Sequence, residues 1–207
     1  MKIHFIFMFL ALLTMAMSCQ QADQVGNYYS LSTFEEDAIN VVVEIPAGTS
    51  HKIEYDPPSN QFFNDQIDGQ DRIINFLPYP ANYGFIPSTL MDEARGGDGD
   101  ALDVLLIAES VPTGSVVKAR PIGTLRLNDS GELDTKIIAV PVEEAIQLIK
   151  ADDFVSFMIE YDAAKRIIEE WFLNYKGTGV TQLLGWEDEQ YALGEIKKWS
   201  LDNKEKK

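Results

Sequence analysis

Histidine and cysteine are almost missing from this chain, which has two of the first and one of the second in 207 residues. One histidine, His4, falls in the apolar N-terminus, so a histidine-ligated zinc site would have only His51 to draw on and is excluded. A Ser-His-Asp triad would rest on that same residue, and no Gly-x-Ser-x-Gly elbow is present. A Walker-type phosphate loop is absent as well. The lone cysteine, Cys19, has no intramolecular disulfide partner. Basic residues are scarce: 17 Lys+Arg stand against 33 Asp+Glu, a formal net charge of −16. Such a surface repels nucleic acid and anionic membranes and favours cations. Charge alone also fits a solubilising surface, so it excludes a nucleic-acid partner without choosing a function.

No apolar run reaches the roughly 20 residues that a membrane-spanning helix needs. Residues 3–17 are apolar apart from His4 and Thr14, follow Met1-Lys2, and lead into Ala16-Met17-Ser18-Cys19. A short basic, apolar, then small pattern reads as an export signal. Small residues before a cysteine look like a bacterial lipoprotein leader, with Cys19 lipidated as the first mature residue. Ala16-x-Ser18 also suits simple secretory cleavage, and both readings place the protein outside the cytoplasm. Loss of residues 1–18 removes only Lys2 among charged groups, leaving 16 Lys+Arg against 33 Asp+Glu, or −17.

Residues 19–35 are polar and aperiodic, as expected of a tether. Beyond them, short β-rich runs at 40–45, 52–55, 72–75, 103–108, 116–127 and 134–140 alternate with Pro, Gly, Asn and Asp clusters. Helices are expected late, at 142–150, 155–175 and 187–203, with Gly177 as a helix stop. Strands followed by helices predict an α+β fold, a small β-barrel with helices on its flank.

The most chemical stretch is Asp98-Gly99-Asp100-Ala101-Leu102-Asp103, which runs into an apolar strand. Carboxylates this close repel one another unless a cation lies between them, and all-oxygen ligands suit Mg²⁺, Mn²⁺ or Ca²⁺. A solvated acidic turn is the plain alternative; an EF-hand is disfavoured because the closing glutamate and flanking helices are missing. In the second stretch, strand alternation puts Asp134, Lys136, Ile138 and Val140 on one face, as where a core opens into a cleft. Lys52 and Glu54 share a strand face. Tyr79, Asn82 and Tyr83 could donate to an anion, and an aromatic loop packed on the core fits the same composition equally well. Tyr175-Lys176 closes a helix, where lysine also simply complements the dipole.

Taken in order, these stretches resemble family I soluble inorganic pyrophosphatases over nearly all of residues 40–188. The set is Glu44-Ile45-Pro46, Lys52-x-Glu54, Asp71-Arg72, Tyr79-Pro80-x-Asn82-Tyr83-Gly84, Asp98-Gly99-Asp100-x-x-Asp103, Asp129 through Asp134-x-Lys136, Tyr175-Lys176 and Gly185-Trp186-Glu187. The resemblance implies a closed OB-like barrel and a domain over 36–207; the N-terminal residues, not the resemblance, place a signal at 1–18 and a lipidated tether at 19–35 ahead of it. It implies hydrolysis of pyrophosphate with several Mg²⁺ ions, Mn²⁺ being a substitute. Asp98, Asp103 and Asp134 would hold the metal pair that binds the nucleophilic water, with Asp129 taking further metal and Asp100 the water's proton. Lys52, Arg72, Tyr83, Lys136, Tyr175 and Lys176 would contact phosphate, and Glu44 and Glu54 would orient water or ligands. A homo-oligomer of unset order is implied, and the membrane is met only through the lipid on Cys19. Two departures stand out: Ala101 replaces the family's usual Pro or Glu, and the long helix lacks the histidines many bacterial members carry.

Overall fold

The structure, a computed structural model, describes residues 26–202; the expected signal and Cys19 lie outside the described residues. The chain runs β1 (Phe34–Glu35), β2 (Ala38–Ile45), β3 (Ile53–Asp56), β4 (Gln61–Asn64), β5 (Gln66–Ile67), β6 (Gln70–Asp71), β7 (Asn82–Phe85) and β8 (Asp103–Leu106). The long β9 (Val116–Asp129) and β10 (Glu132–Pro141) follow, then helices α1 (Phe154–Glu160) and α2 (Asp162–Asn174), β11 (Thr181–Glu187) and α3 (Glu189–Trp199). Strand neighbours in the main sheet are β1-β2-β7-β8-β10-β9-β11, and β9 also pairs with β2. The β8–β10 pair is parallel; the other pairs in this mixed sheet are antiparallel.

Alternation along the strands builds two cores. Tyr83, Leu105, Leu127, Ile138 and Val140 face one way and pack against Ile168, Trp171 and Phe172 of α2. Their neighbours Val104, Leu106, Ile137 and Ala139 face the other way and meet Ala192, Ile196 and Trp199 of α3. Both helix sets carry apolar residues at three- and four-residue spacing, as a helix buried along one stripe must.

Several expected elements differ. The 155–175 helix is two helices, because Tyr161 leaves helical geometry (φ −123°, ψ 26°) while its hydroxyl accepts from the Lys150 amide at 3.0 Å. Residues 142–150 form only a single tight turn, Glu144–Ile146. There the Gln147 side chain donates to Pro141 O (2.8 Å) and an isolated bridge joins Gln147 to Ala108, so extended pairing displaces helix. The 72–75 stretch makes no strand of its own, only an isolated His51–Ile73 bridge and backbone bonds to Ser50, Lys52 and Asp65, while β4, β7 and β11 arise where no strand was expected. Residues 27–35, expected in the tether, pack on the domain, with Phe34 and Glu35 pairing onto β2.

Close strand packing makes Gly84 irreplaceable: a Cβ there would lie 1.9 Å from Val42 O. Gly84→Ala is expected to cost at least about 3 kcal/mol, since backbone rather than a flexible side chain must move. Gly194, in α3, has nothing within 4 Å of an added Cβ, so Gly194→Ala should stabilise by about 0.5–1 kcal/mol. Urea unfolding of both variants checks the pair, and equal midpoints would contradict it.

Candidate active site

Strand register brings charges together that are distant in sequence. In the parallel β8–β10 pair Val104 stands opposite Ile137, so Asp103 at the start of β8 lies beside Lys136. Asp134 and Lys136 share a face of β10. The Lys136 ammonium, on a residue only 5% exposed, sits between Asp103 and Asp134 Oδ1 (2.5 Å). It also donates to Tyr83 Oη at 2.8 Å, delivered by β7, whose Tyr83 pairs with Leu105.

Around this centre lies a cavity of about 260 Å³. Lys52, just ahead of β3, borders it with its ammonium 3.0 Å from Glu54 Oε1. Arg72 borders it too, gripped by Asp65 Oδ2 at 2.9 Å. From the far side come Asp129 at the end of β9 and Lys176, which are ion-paired. Tyr175 caps α2 and stacks on Trp171 at 4.5 Å, and Trp171 is itself tied to Leu77 O (2.8 Å). Asp98 and Asp100 complete the rim. The loop between them is not extended: Gly99 takes φ +89°, and Asp98 Oδ1 accepts from the Asp100 amide at 3.0 Å. Glu44 and Glu54 border an adjoining annex that shares Lys52, Asp100 and Asp103 with the main cavity.

The electrostatics follow from burial and crowding. Burial, with Asp98 and Asp103 nearby, raises the Asp100 pKa. Burial lifts Asp134 above the usual carboxylate range and Asp103 adds to it, with Lys136 opposing. For Lys136, burial works against charge, but Asp103 and Asp134 outweigh it and keep the ammonium protonated. Burial pushes Glu44 up to about 7 even though it accepts from the Tyr55 amide at 2.8 Å. At Asp129 burial is overcome by the Lys176 ammonium, and its pKa falls.

For two residues of the Tyr79–Tyr83 stretch the packed alternative holds. Asn82 is fully buried; its Oδ1 accepts from the Ala47 (3.1 Å) and Val111 (3.0 Å) amides, and Nδ2 donates to Glu109 O (3.0 Å). Tyr79 is buried against Trp171. Asp71, adjacent to Arg72 in the motif, instead binds Asn64 (2.8 Å) and Gln66 (2.9 Å) around the β5–β6 hairpin. Sequence reading missed Asp65, which orients Arg72, because a hairpin separates the two. It missed Tyr29, half-buried on the annex wall, because 19–35 reads as tether.

The residues suit a hard divalent cation. The available donors are carboxylates, with no thiol or imidazole among them, which matches magnesium. Asp103 and Asp134 already hold a cation between them, the Lys136 ammonium. One ammonium for two partly buried carboxylates leaves that pair short of positive charge. Among the described residues no three His, Cys, Asp or Glu side chains are gathered as a finished ligand set. The donors are therefore right in kind and at present engaged with lysine.

Comparison with known proteins agrees with this chemistry. The family model described as inorganic pyrophosphatase matches residues 41–204. An inorganic pyrophosphatase of Aquifex pyrophilus is 40% identical over 169 residues, covering 77% of this chain and 86% of that protein. One from Synechocystis is 38% identical over 161 residues, covering 75% and 85%. The crystal structure of inorganic pyrophosphatase from Thermus thermophilus superposes with a TM-score of 0.70 at 30% identity, covering 83% of this chain and 95% of that one.

Removing the central ammonium tests the charge arrangement. Lys136→Met should lower stability without metal by about 3 kcal/mol, the order found when a buried ion pair loses one partner. Added Mg²⁺ should then raise the melting temperature more in the variant than in the parent. Thermal unfolding with Mg²⁺ and with chelator checks this; identical Mg²⁺ shifts would show that lysine does not compete for the carboxylates.

Proposed function

The chain belongs to the family I inorganic pyrophosphatases and hydrolyses inorganic pyrophosphate to two orthophosphates; from that premise we propose how its residues divide the work. Asp98, Asp103, Asp134 and Asp129 would hold Mg²⁺, or Mn²⁺ in its place. When bound, the metal neutralises phosphate oxygens and acidifies a water ligand. Asp100 accepts the proton as the water oxygen attacks one phosphorus and the bond to the bridging oxygen breaks. Arg72 presents a planar fork to phosphate, while Lys52, Lys136 and Lys176 act as point charges. Tyr83 and Tyr175 donate through their hydroxyls, and Glu44 and Glu54 orient water at the annex side. The observation that carries this reading is the meeting of these acidic and basic groups in one cavity of about 260 Å³ and its annex. A simple cation site has no use for four basic side chains at its rim, whereas phosphoryl transfer needs the charge stabilisation they supply.

The β9–β2 pairing returns the sheet on itself, which supports a small closed OB-like barrel. Exposed Ile159 and Ile167 on α1 and α2 support a homo-oligomer.

The decisive assay follows orthophosphate release from pyrophosphate with Mg²⁺, with chelator, and in Asp100→Asn. Chelator should abolish turnover, and the substitution should lower kcat by about 100-fold or more, the scale of general-base catalysis. No turnover from folded, Mg²⁺-loaded protein would overturn the assignment.

The location is proposed on the leader alone: an extracytoplasmic lipoprotein anchored through Cys19. Expressed in a bacterium, the parent should fractionate with membranes and Cys19→Ala should not. Membrane retention of Cys19→Ala would remove the lipid from the account.

A further inference from the structure

Residues 27–35 precede the stretch that matches the family, 41–204, yet they reach the cleft. Asn27 Oδ1 accepts from the Tyr29 amide (2.9 Å) and from the Tyr55 hydroxyl (3.2 Å), to which the Tyr28 amide in turn donates (3.2 Å). Tyr29 O accepts from both the amide (3.0 Å) and the hydroxyl (3.1 Å) of Ser88. Anchored in this way, the Tyr29 ring stands edge-on to Tyr55 at 5.2 Å and to Phe85 at 4.7 Å.

That ring backs the carboxylate loop. On one side is the annex, about 150 Å³, bordered by Tyr29, Asp100 and Ala101. On the other is an outer groove of about 420 Å³, which the same three residues also border. With Tyr55, they form the partition between the two. At this step Asp100 N meets Asp98 Oδ1 (3.0 Å) and Asp100 O accepts from the Met91 amide (2.8 Å), while the flanking Gly99 and Leu102 amides donate to Met91 O (2.8 Å) and Thr89 Oγ1 (2.9 Å). The remaining support is apolar. Ala101 joins Val42, Tyr55 and Phe85 in a buried cluster on which Tyr29 packs. An alanine brings little surface of its own to that cluster, so the rings behind it supply the stiffness.

We propose that Tyr29 is a positioning residue for the reaction: its ring, supplied from ahead of the family core, holds the Asp100–Ala101 step and seals the cleft from the outer groove. It acts through Asp100 and does not touch pyrophosphate. Its packing partners are rings and the loop, so the ring and not the hydroxyl is the working part. The kinetic half of the test rests on the pyrophosphatase reading, while the structural half does not.

The test compares Tyr29→Ala and Tyr29→Phe in the full-length chain. In metal-free protein, amide hydrogen exchange at residues 98–101 should quicken about tenfold in Tyr29→Ala, with the β8 and β10 amides unchanged. Tyr29→Phe should exchange like the parent. With Mg²⁺ and pyrophosphate, Tyr29→Ala should lose about tenfold in kcat with KM within about twofold, and Tyr29→Phe should retain the parent values. Unaltered exchange at 98–101 in Tyr29→Ala overturns the proposal. So does acceleration spread through β8 and β10, which would make Tyr29 a general support, or a Tyr29→Phe that behaves like Tyr29→Ala. A parent chain that does not hydrolyse pyrophosphate would overturn the functional reading alone, and the exchange pattern would still decide the role of Tyr29.

Discussion

A buried lysine ammonium held between two aspartates depends on three strands keeping register at once. Asp103 comes from β8, Asp134 and Lys136 from β10, and Tyr83 from β7 between β2 and β8. A one-residue slip of β10 would turn Asp134 and Lys136 toward the face covered by α3 and bring Ile137 and Ala139 to the cleft. Charges moved into that apolar layer without partners cost several kcal/mol, so the charge cluster and the strand pairing enforce each other. The bulge between Ile138 and Ala139 lies past the cluster, where the strand no longer carries charged side chains.

Each basic group at the cleft is matched to an acid: Lys52 with Glu54, Arg72 with Asp65, Lys136 with Asp103 and Asp134, Lys176 with Asp129. In a chain of net charge −16, with 17 basic residues in all, this is a concentration of cationic side chains at one place. An anion and a divalent cation that arrive together can exchange these partners without leaving any charge bare, which is the costly outcome. The remaining acidic surface favours loading of the metal, and the loaded metal draws the anion.

Both ends of the described chain meet beside the carboxylate loop. Ser88 receives the N-terminal segment through Tyr29 and the C-terminal one through the Leu201 amide, which donates to Ser88 O at 2.7 Å. Leu90 N donates to Trp199 O at 3.0 Å, and the Thr33 amide donates to Asp202 at 2.8 Å. The strand-poor stretch from Pro87 to Leu102 is thereby tied to the two end segments of the described chain, a Thr89–Ser200 bridge among the ties.

Period and spacing carried the local conclusions: the long strands, the late helices, the shared face of Asp134 and Lys136, and the acidic loop. These are properties of a few adjacent residues, set by backbone geometry and side-chain chemistry whatever the rest of the chain does. The misread elements failed where a distant partner outbid local preference, as when Gln147 bonded back to Pro141 and Ala108, or when Tyr161 took the Lys150 amide and split a helix. Asn82, which by composition could donate to an anion or pack on the core, became a buried clamp for the same reason. The motif order named the family and its candidate residues. Which carboxylates share an ammonium, which acid orients Arg72, and that Tyr29 stands behind Asp100 were decided only in three dimensions, because those contacts join residues from separate elements and depend on strand register.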